Sequence, residues 1–441
     1  MKIVLLSIII GVFTLHQVQA SNSTVVEVDG DTTSTITWTV DTMCVKPHLN
    51  SYSDSLKLER PKSNFQSTMN DITSSKVFKM TSAGVPLIIG GLIMKTHDDK
   101  FRNIRNSYAP QFNARYDDYI QYLPAATMLG LKLAGVKGRS SWGRMLVSDG
   151  FTVALMVASV NSIKRVAKVM RPDGSNNHSF PSGHTATAFM CATMLHKEYG
   201  CVSPWYSIGG YTVATLTGVS RILNNKHWIS DVVTGAGIGI LSTELGYFLA
   251  DLIFKKKGLN EFPQNAPFDR DHKPSFLGVY MGFNTAANSN NLPDGQVLKL
   301  CTGANAGLEG ALFFNPYVGV GGRFNLASMP MSIAGKIQTD PLDMTSICVG
   351  PYVSYPICGQ LHVGAKVMAG YVNYSKCSIS NMVVGDKNSA IFSTGASFTI
   401  FGGDHFNFRF FADYNVSSSI IKGSNKSLQY LTVGSVAAIN F

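Results

Sequence analysis

Charge is scarce in this chain: Asp, Glu, Lys and Arg make up 15% of 441 residues, against roughly 25% in an ordinary soluble protein. Together with 41 Gly and frequent aromatics, the shortage suggests that part of the surface faces lipid. No dense Lys/Arg cluster occurs beyond Lys255-Lys256-Lys257, which excludes nucleic acid as the partner of the +10 formal charge. That charge suits work beside anionic lipid or on phosphorylated substrates. No Cys-x2-Cys occurs, so none of the seven cysteines has metal-ligand spacing. A clean helical membrane span is also missing. The most apolar stretch, Met80 to Met94, has about 15 uncharged residues where about 20 are needed, and it holds Pro86, Gly90 and Gly91.

Residues 1–20 have the makings of a cleaved secretory signal: Lys2, an apolar core from Ile3 to Leu15, and Val18-Gln19-Ala20. Export would put the cysteines in an oxidising compartment, and their odd number leaves at least one unpaired. Residues 21–75 are rich in Ser, Thr, Asn and Asp and read as a polar arm, with a short alternating stretch from Thr35 to Val40. From 76 to 258 the pattern is helical, with helices expected at Val77–Met94, Tyr119–Ala134, Trp142–Val169, Thr185–Tyr199, Ser207–Ile222 and Ile229–Phe254. Asp118, Lys132, Asp149 and Lys164 interrupt or bound these segments. That pattern favours buried core helices, with a helical bundle embedded in an inner membrane as the alternative.

Residues 259–274 read as a linker. Beyond it the period becomes two: Leu277, Val279, Met281 and Phe283 alternate with Gly278, Tyr280, Gly282 and Asn284. Eight such segments are expected near 275–285, 298–314, 316–326, 346–356, 359–372, 391–402, 405–417 and 428–441. Tight turns (Asn315-Pro316, Ile357-Cys358, Gly403-Asp404) alternate with long polar connections. An even strand count with that alternation predicts a transmembrane β-barrel at 275–441. Glu309, Arg323, Arg409 and Asp413 should then face a lumen filled by side chains. The fold class is thus an all-α helical bundle followed by an all-β, eight-stranded antiparallel barrel.

Three blocks in the helical part carry chemistry: Lys164-x6-Arg171-Pro172, Pro181-Ser182-Gly183-His184, and Ser220-Arg221-x5-His227-x3-Asp231. Lys164 and Arg171, seven apart, should share a helix face ended by Pro172, and both suit phosphate oxygens. Ser182 can cap the helix that follows it. Gly183 lets a backbone N–H approach an anion at that terminus, and His184 there can hold a proton. Asp231 can accept from one ring nitrogen of His227, leaving the other free to attack. Taken singly, each block has a bland alternative: a solvated basic face, a capped helix with a surface histidine, or an Asp on a helix dipole.

In this order the three blocks resemble the signature of the type 2 phosphatidic acid phosphatase (PAP2) superfamily, K-x6-RP, PSGH and SR-x5-H-x3-D, without a departure at any position. The resemblance covers about 76–258. It implies a helical bundle and a metal-independent phosphatase with no cofactor, in which His227 forms a phosphohistidine, Asp231 orients it and His184 is the general acid. Lys164, Arg171, Ser182, Gly183 and Arg221 would hold the phosphoryl oxygens. The family also includes vanadium haloperoxidases, which use the same pocket for vanadate. The barrel favours a lipid phosphate at the periplasmic face of an outer membrane, with lipid A first and undecaprenyl pyrophosphate or phosphatidylglycerol phosphate as rivals. A reading of another class makes the barrel an adhesin or porin and the helices an inactive passenger.

Overall fold

The computed structural model describes residues 68, 71–73, 75–260 and 273–440, apart from 292–295, 339, 359, 380–381, 385–386, 402–405 and 421–425. The expected signal at 1–20, nearly all of the arm at 21–75, most of the linker at 259–274, the turn at Gly403-Asp404 and the final aromatic Phe441 lie outside the described residues.

The helical part comprises α1 (Lys76–Thr81), α2 (Gly84–Met94), α3 (Asp98–Tyr108), α4 (Asp117–Ile120), α5 (Leu123–Leu133), α6 (Trp142–Ala167), α7 (Gly183–Tyr199), α8 (Pro204–Leu223) and α9 (Ile229–Phe254). Local chemistry sets several of the boundaries. Ser203 caps α8 by accepting from Trp205 N, and Pro204 occupies the first turn, where its missing N–H costs nothing. α6 stops where Lys168 takes a left-handed φ of 44°.

Helix α9 is central: most of its residues are buried, and it packs against α2, α6 and α7. A Cβ added at Gly246 would meet Thr152 N at 2.6 Å, so α6 lies too close there for any side chain. Both α6 and α9 are long and apolar enough to cross a membrane, contrary to the expectation that no helix is. Half of the α9 window is buried but only 22% of the α6 window, so α6 is not the buried core helix expected from its sequence.

Four helical expectations need correction. The helix expected from Tyr119 to Ala134 is interrupted at Gln121 and Tyr122, which separate α4 from α5. The stretch expected as one helix from Val77 to Met94 breaks at Ser82 and Ala83. The helix expected to run to Val169 ends at Ala167, short of Arg171. Helix α3 was not anticipated, because its sequence DDKFRNIRNSY is polar and buries only Phe101 and Ile104.

After the linker, eight antiparallel strands close into a barrel: β1 (Phe276–Ala286), β2 (Gly303–Phe313), β3 (Val318–Met329), β4 (Leu342–Cys358), β5 (Leu361–Tyr374), β6 (Lys387–Phe401), β7 (Phe406–Ser417) and β8 (Leu428–Asn440). Each strand pairs with its sequence neighbour, and β1 pairs with β8 at the seam, Leu277 opposite Ile439. The turn at Asn315 is built as its composition demands, with Asn315 Oδ1 accepting from Tyr317 N and Val318 N at 2.8 Å each.

The second strand starts at Gly303, not near 298. Pro330 ends β3, since it has no N–H for the ladder, and the separate strand Met331–Ile333 takes Val297–Leu300 as partner in a small four-stranded sheet. β4 begins earlier than expected, at Leu342.

The lumen holds the four charged residues expected there, joined by Lys366. Arg323 meets Asp413 at 2.6 Å, while Lys366 meets Glu309 at 2.6 Å and Asp413 at 2.9 Å. Tyr280 donates to Asp413 at 3.0 Å. Arg409 lies 3.9 Å above the Phe276 ring. The outward set includes exposed Leu277, Leu308, Val349, Val367 and Phe392. Part of that outward wall is covered by helices. Phe283 meets His97 at a tilt and Phe101 edge-on (ring centroids 4.7 and 5.5 Å apart), and Phe406 meets Tyr211 at a tilt (5.7 Å).

Among the described residues Cys191, Cys201, Cys301, Cys348 and Cys377 are free.

Candidate active site

The start of α7 brings the second sequence block into place. Ser182 is extended, fully buried, and caps α7 by accepting from Thr185 N at 3.4 Å and Thr185 Oγ1 at 2.9 Å. A Cβ placed on Gly183 would come no nearer than 3.9 Å to Lys164 Cε and Val160 Cγ1, so the backbone is open on that side. His184 follows in the first turn, partly exposed.

The third block closes on the second. His227 and Asp231 are almost wholly buried. His227 Nδ1 lies 3.3 Å from Asp231 Oδ2, the pairing expected from their spacing, which fixes the proton on Nδ1 and leaves Nε2 with its lone pair. The same carboxylate oxygen accepts from Trp228 N at 2.9 Å and from Ser179 Oγ at 2.5 Å. Asp231 is therefore held from three directions.

Burial pushes His227 down to about 4. Lys164 and Arg221 act in the same direction, against the hydrogen bond to Asp231. His227 is thus a neutral imidazole across most of the physiological range. Burial, then Arg221, also lowers His184 below its ordinary value, opposed by Asp118.

Arg171 does not share a helical face with Lys164. It follows the end of α6 in a loop held by Arg171 N donating to Asn176 O at 2.9 Å, Trp228 Nε1 donating to Met170 O at 2.8 Å, and Arg102 donating to Pro172 O at 2.7 Å. Pro172 therefore lies in this loop, beyond the helix end. The loop still carries Arg171 to the site, where it acts electrostatically on Lys164 and feels Arg221 and Asp231. Lys164 Nζ donates to His178 O at 2.7 Å. Arg171 Nε and Arg221 Nε are buried without a protein acceptor, which leaves two donors for an anion. All eight residues singled out in the sequence thus contribute to one region at the ends of α6, α7, α8 and α9.

Four residues there escaped sequence reasoning. Ser179 and Trp228 hold Asp231. Asp117 and Asp118 on α4 hold Arg221, Asp117 Oδ2 accepting from Nη1 at 2.9 Å and Asp118 Oδ1 at 3.4 Å. The usable signal for the aspartates was an adjacent acidic pair just before an apolar segment, in a chain with only 27 acidic residues.

Residues 145–251 match the PAP2 superfamily, and all eight site residues lie inside that segment, which is a PAP2-superfamily domain. The lipid A 1-phosphatase of Porphyromonas gingivalis is 51% identical over 172 residues, 39% of this chain and 39% of that protein. A probable lipid phosphate phosphatase beta of Arabidopsis thaliana is 32% identical over 91 residues, 15% of this chain and 43% of that protein. The chain thus spans about two fifths of the length of these curated relatives. Among solved structures, Aquifex aeolicus LpxE aligns at 25% identity and a TM-score of 0.26, covering 33% of this chain and 91% of that one. Neisserial surface protein A aligns at 7% identity and a TM-score of 0.29, covering 38% of this chain and 97% of that one.

Proposed function

We propose that the PAP2-superfamily domain makes this protein a lipid phosphatase that removes the 1-phosphate of lipid A by way of a phosphohistidine on His227. The observation that carries the reading is the His227–Asp231 pair at 3.3 Å beneath buried, unpartnered guanidinium donors. The identity to the Porphyromonas lipid A 1-phosphatase supports the choice of substrate.

In this reading Lys164, Arg171 and Arg221, with Ser182 and Gly183 N–H, hold the three phosphoryl oxygens and offset the charge that grows in the transition state. His227 Nε2 attacks phosphorus, and the bond to the leaving oxygen breaks as His184 donates its proton to that oxygen. Neutral His184 then takes a proton from water, whose oxygen attacks phosphorus and releases His227. The protein's own cations supply the positive charge, so the mechanism calls on no metal or cofactor.

The closed barrel, with its apolar outward face, supports an outer-membrane anchor, and the reading sets the catalytic site on the periplasmic side. Mass spectrometry of lipid A from cells with and without the gene tests the substrate. The expected result is loss of one phosphate only when the gene is present and His227 intact. Unchanged lipid A would instead favour undecaprenyl pyrophosphate or phosphatidylglycerol phosphate. If purified wild-type protein and His227→Ala hydrolysed a generic phosphomonoester equally slowly, the enzymatic reading itself would fall, leaving the barrel as the functional unit. Cell fractionation checks the placement, which predicts activity in the outer-membrane fraction.

A further inference from the structure

The two aspartates of α4 are not equivalent. Asp117 is 1% exposed, accepts from Arg221 at 2.9 Å and is also approached by Asn224 Nδ2, so it alone accounts for the neutralisation and placement of the buried guanidinium. Asp118 is surplus to that task. Its side chain is about half exposed, on the open side of the site. Its Oδ1 stands 3.0 Å from His184 Nε2 and 3.4 Å from Arg221 Nη1, one oxygen bridging the proton-carrying histidine and a phosphate-holding arginine.

We propose that Asp118 is a positioning residue that holds the Nε2–H of His184 in the resting site and surrenders it when a phosphate ester takes its place on Arg221. The proposal rests on the phosphatase reading above, with His184 as general acid. Asp118 takes no proton itself. While it bridges, the imidazolium keeps its proton on Nε2. An arriving phosphate dianion pairs with Arg221, repels the nearby carboxylate and places its leaving oxygen where Nε2–H can reach. The charged groups facing His184 are Arg221 from α8 and Asp117 and Asp118 from α4. Of these, Arg221 disfavours the protonated ring and the two aspartates favour it.

The test uses the full chain in detergent with two substrates: para-nitrophenyl phosphate, whose leaving group needs little protonation, and an alkyl phosphate, whose alkoxide needs it fully. Asp118→Ala should lose about ten-fold more kcat on the alkyl ester than on the aryl ester, as a general-acid defect does. The basic limb of its kcat/KM profile should move to lower pH. Asp118→Asn, which keeps an acceptor but not the charge, should restore part of the alkyl-ester rate while leaving the limb displaced. Asp117→Asn is the structural comparison, with KM raised on both esters alike. Equal losses on both esters in Asp118→Ala with an unmoved limb, alongside a leaving-group-dependent defect in His184→Ala, would overturn the proposal and leave the phosphatase reading intact. An active wild type matched in rate by His227→Ala would overturn that reading instead.

Discussion

Ser182 N donates a hydrogen bond to the backbone carbonyl of Asp231 at 3.0 Å. The contact joins the N-terminus of α7, which carries Gly183 and His184, to the first turn of α9, which carries Asp231. One turn further along α9, a Cβ on Gly235 would sit 2.6 Å from Ser182 O. Gly235→Ala should therefore push the N-terminus of α7, from Ser182 to His184, off α9. It should cost about 1–3 kcal/mol, as overpacking commonly does, and lower kcat more than it raises KM. Thermal unfolding and steady-state kinetics on the same preparation check both halves.

Asp231 serves His227 through one oxygen shared with Ser179 and Trp228 N. Replacing it with Asn leaves an amide that can donate to Nδ1 and stabilise the wrong tautomer. The expected loss in kcat is about 10²–10⁴-fold, by analogy with the orienting carboxylates of other histidine sites. Ser179→Ala removes one of three donors and should cost less. A Ser179→Ala defect as deep as that of Asp231→Asn would mean that the carboxylate is not the orienting group.

The two histidines set the pH dependence. In the proposed mechanism His227 must be neutral to attack, and burial takes it down to about 4, so activity should rise through that pH from the acid side. His184 must be protonated. Burial and Arg221 hold it below its ordinary value, so kcat/KM should fall on the alkaline side at a pH under 6.5. For stability, a histidine with a depressed folded pKa binds its proton more readily when unfolded. His227 therefore withdraws stability as pH falls from about 6.5 toward 4. A kcat/KM profile with its maximum above 7 would contradict the assignment of acid and base.

In the lumen, Asp413 is the acceptor shared by Arg323, Lys366 and Tyr280. Asp413→Ala strands two buried cations and should destabilise the barrel by about 3–5 kcal/mol. Outward substitutions such as Val349→Leu should leave the folded barrel unchanged. Urea unfolding of the purified protein, followed by loss of compact gel migration, reads the difference.

The barrel was legible because period two and lumenal charge are local signals: Glu309, Arg323, Arg409 and Asp413 alternate with apolar neighbours in their own strands. Strand ends were less so, since whether Val297–Leu300 continues β2 or pairs with Met331–Ile333 depends on where Pro330 sends the chain. In the helical part, the nucleophile pair was legible because Asp231 lies one helical turn from His227. The Lys164–Arg171 relation was misjudged because a helix was assumed to last until proline, whereas Lys168 ends it earlier in a left-handed conformation. Asp117, Asp118 and Ser179 were invisible to spacing. They meet Arg221 and Asp231 across 104, 103 and 52 residues respectively, and sequence carries no period for that.

The seam between β1 and β8 sets an order in time. Partners such as Ala286 and Tyr430 are separated by 144 residues, so the ring is the last and slowest closure to form. Every group from Lys164 to Asp231 has left the ribosome before the first strand of that ring exists. The candidate site is thus made ahead of the barrel. Until the seam is sewn, the edges of β1 and β8 are unpaired and open to mispairing.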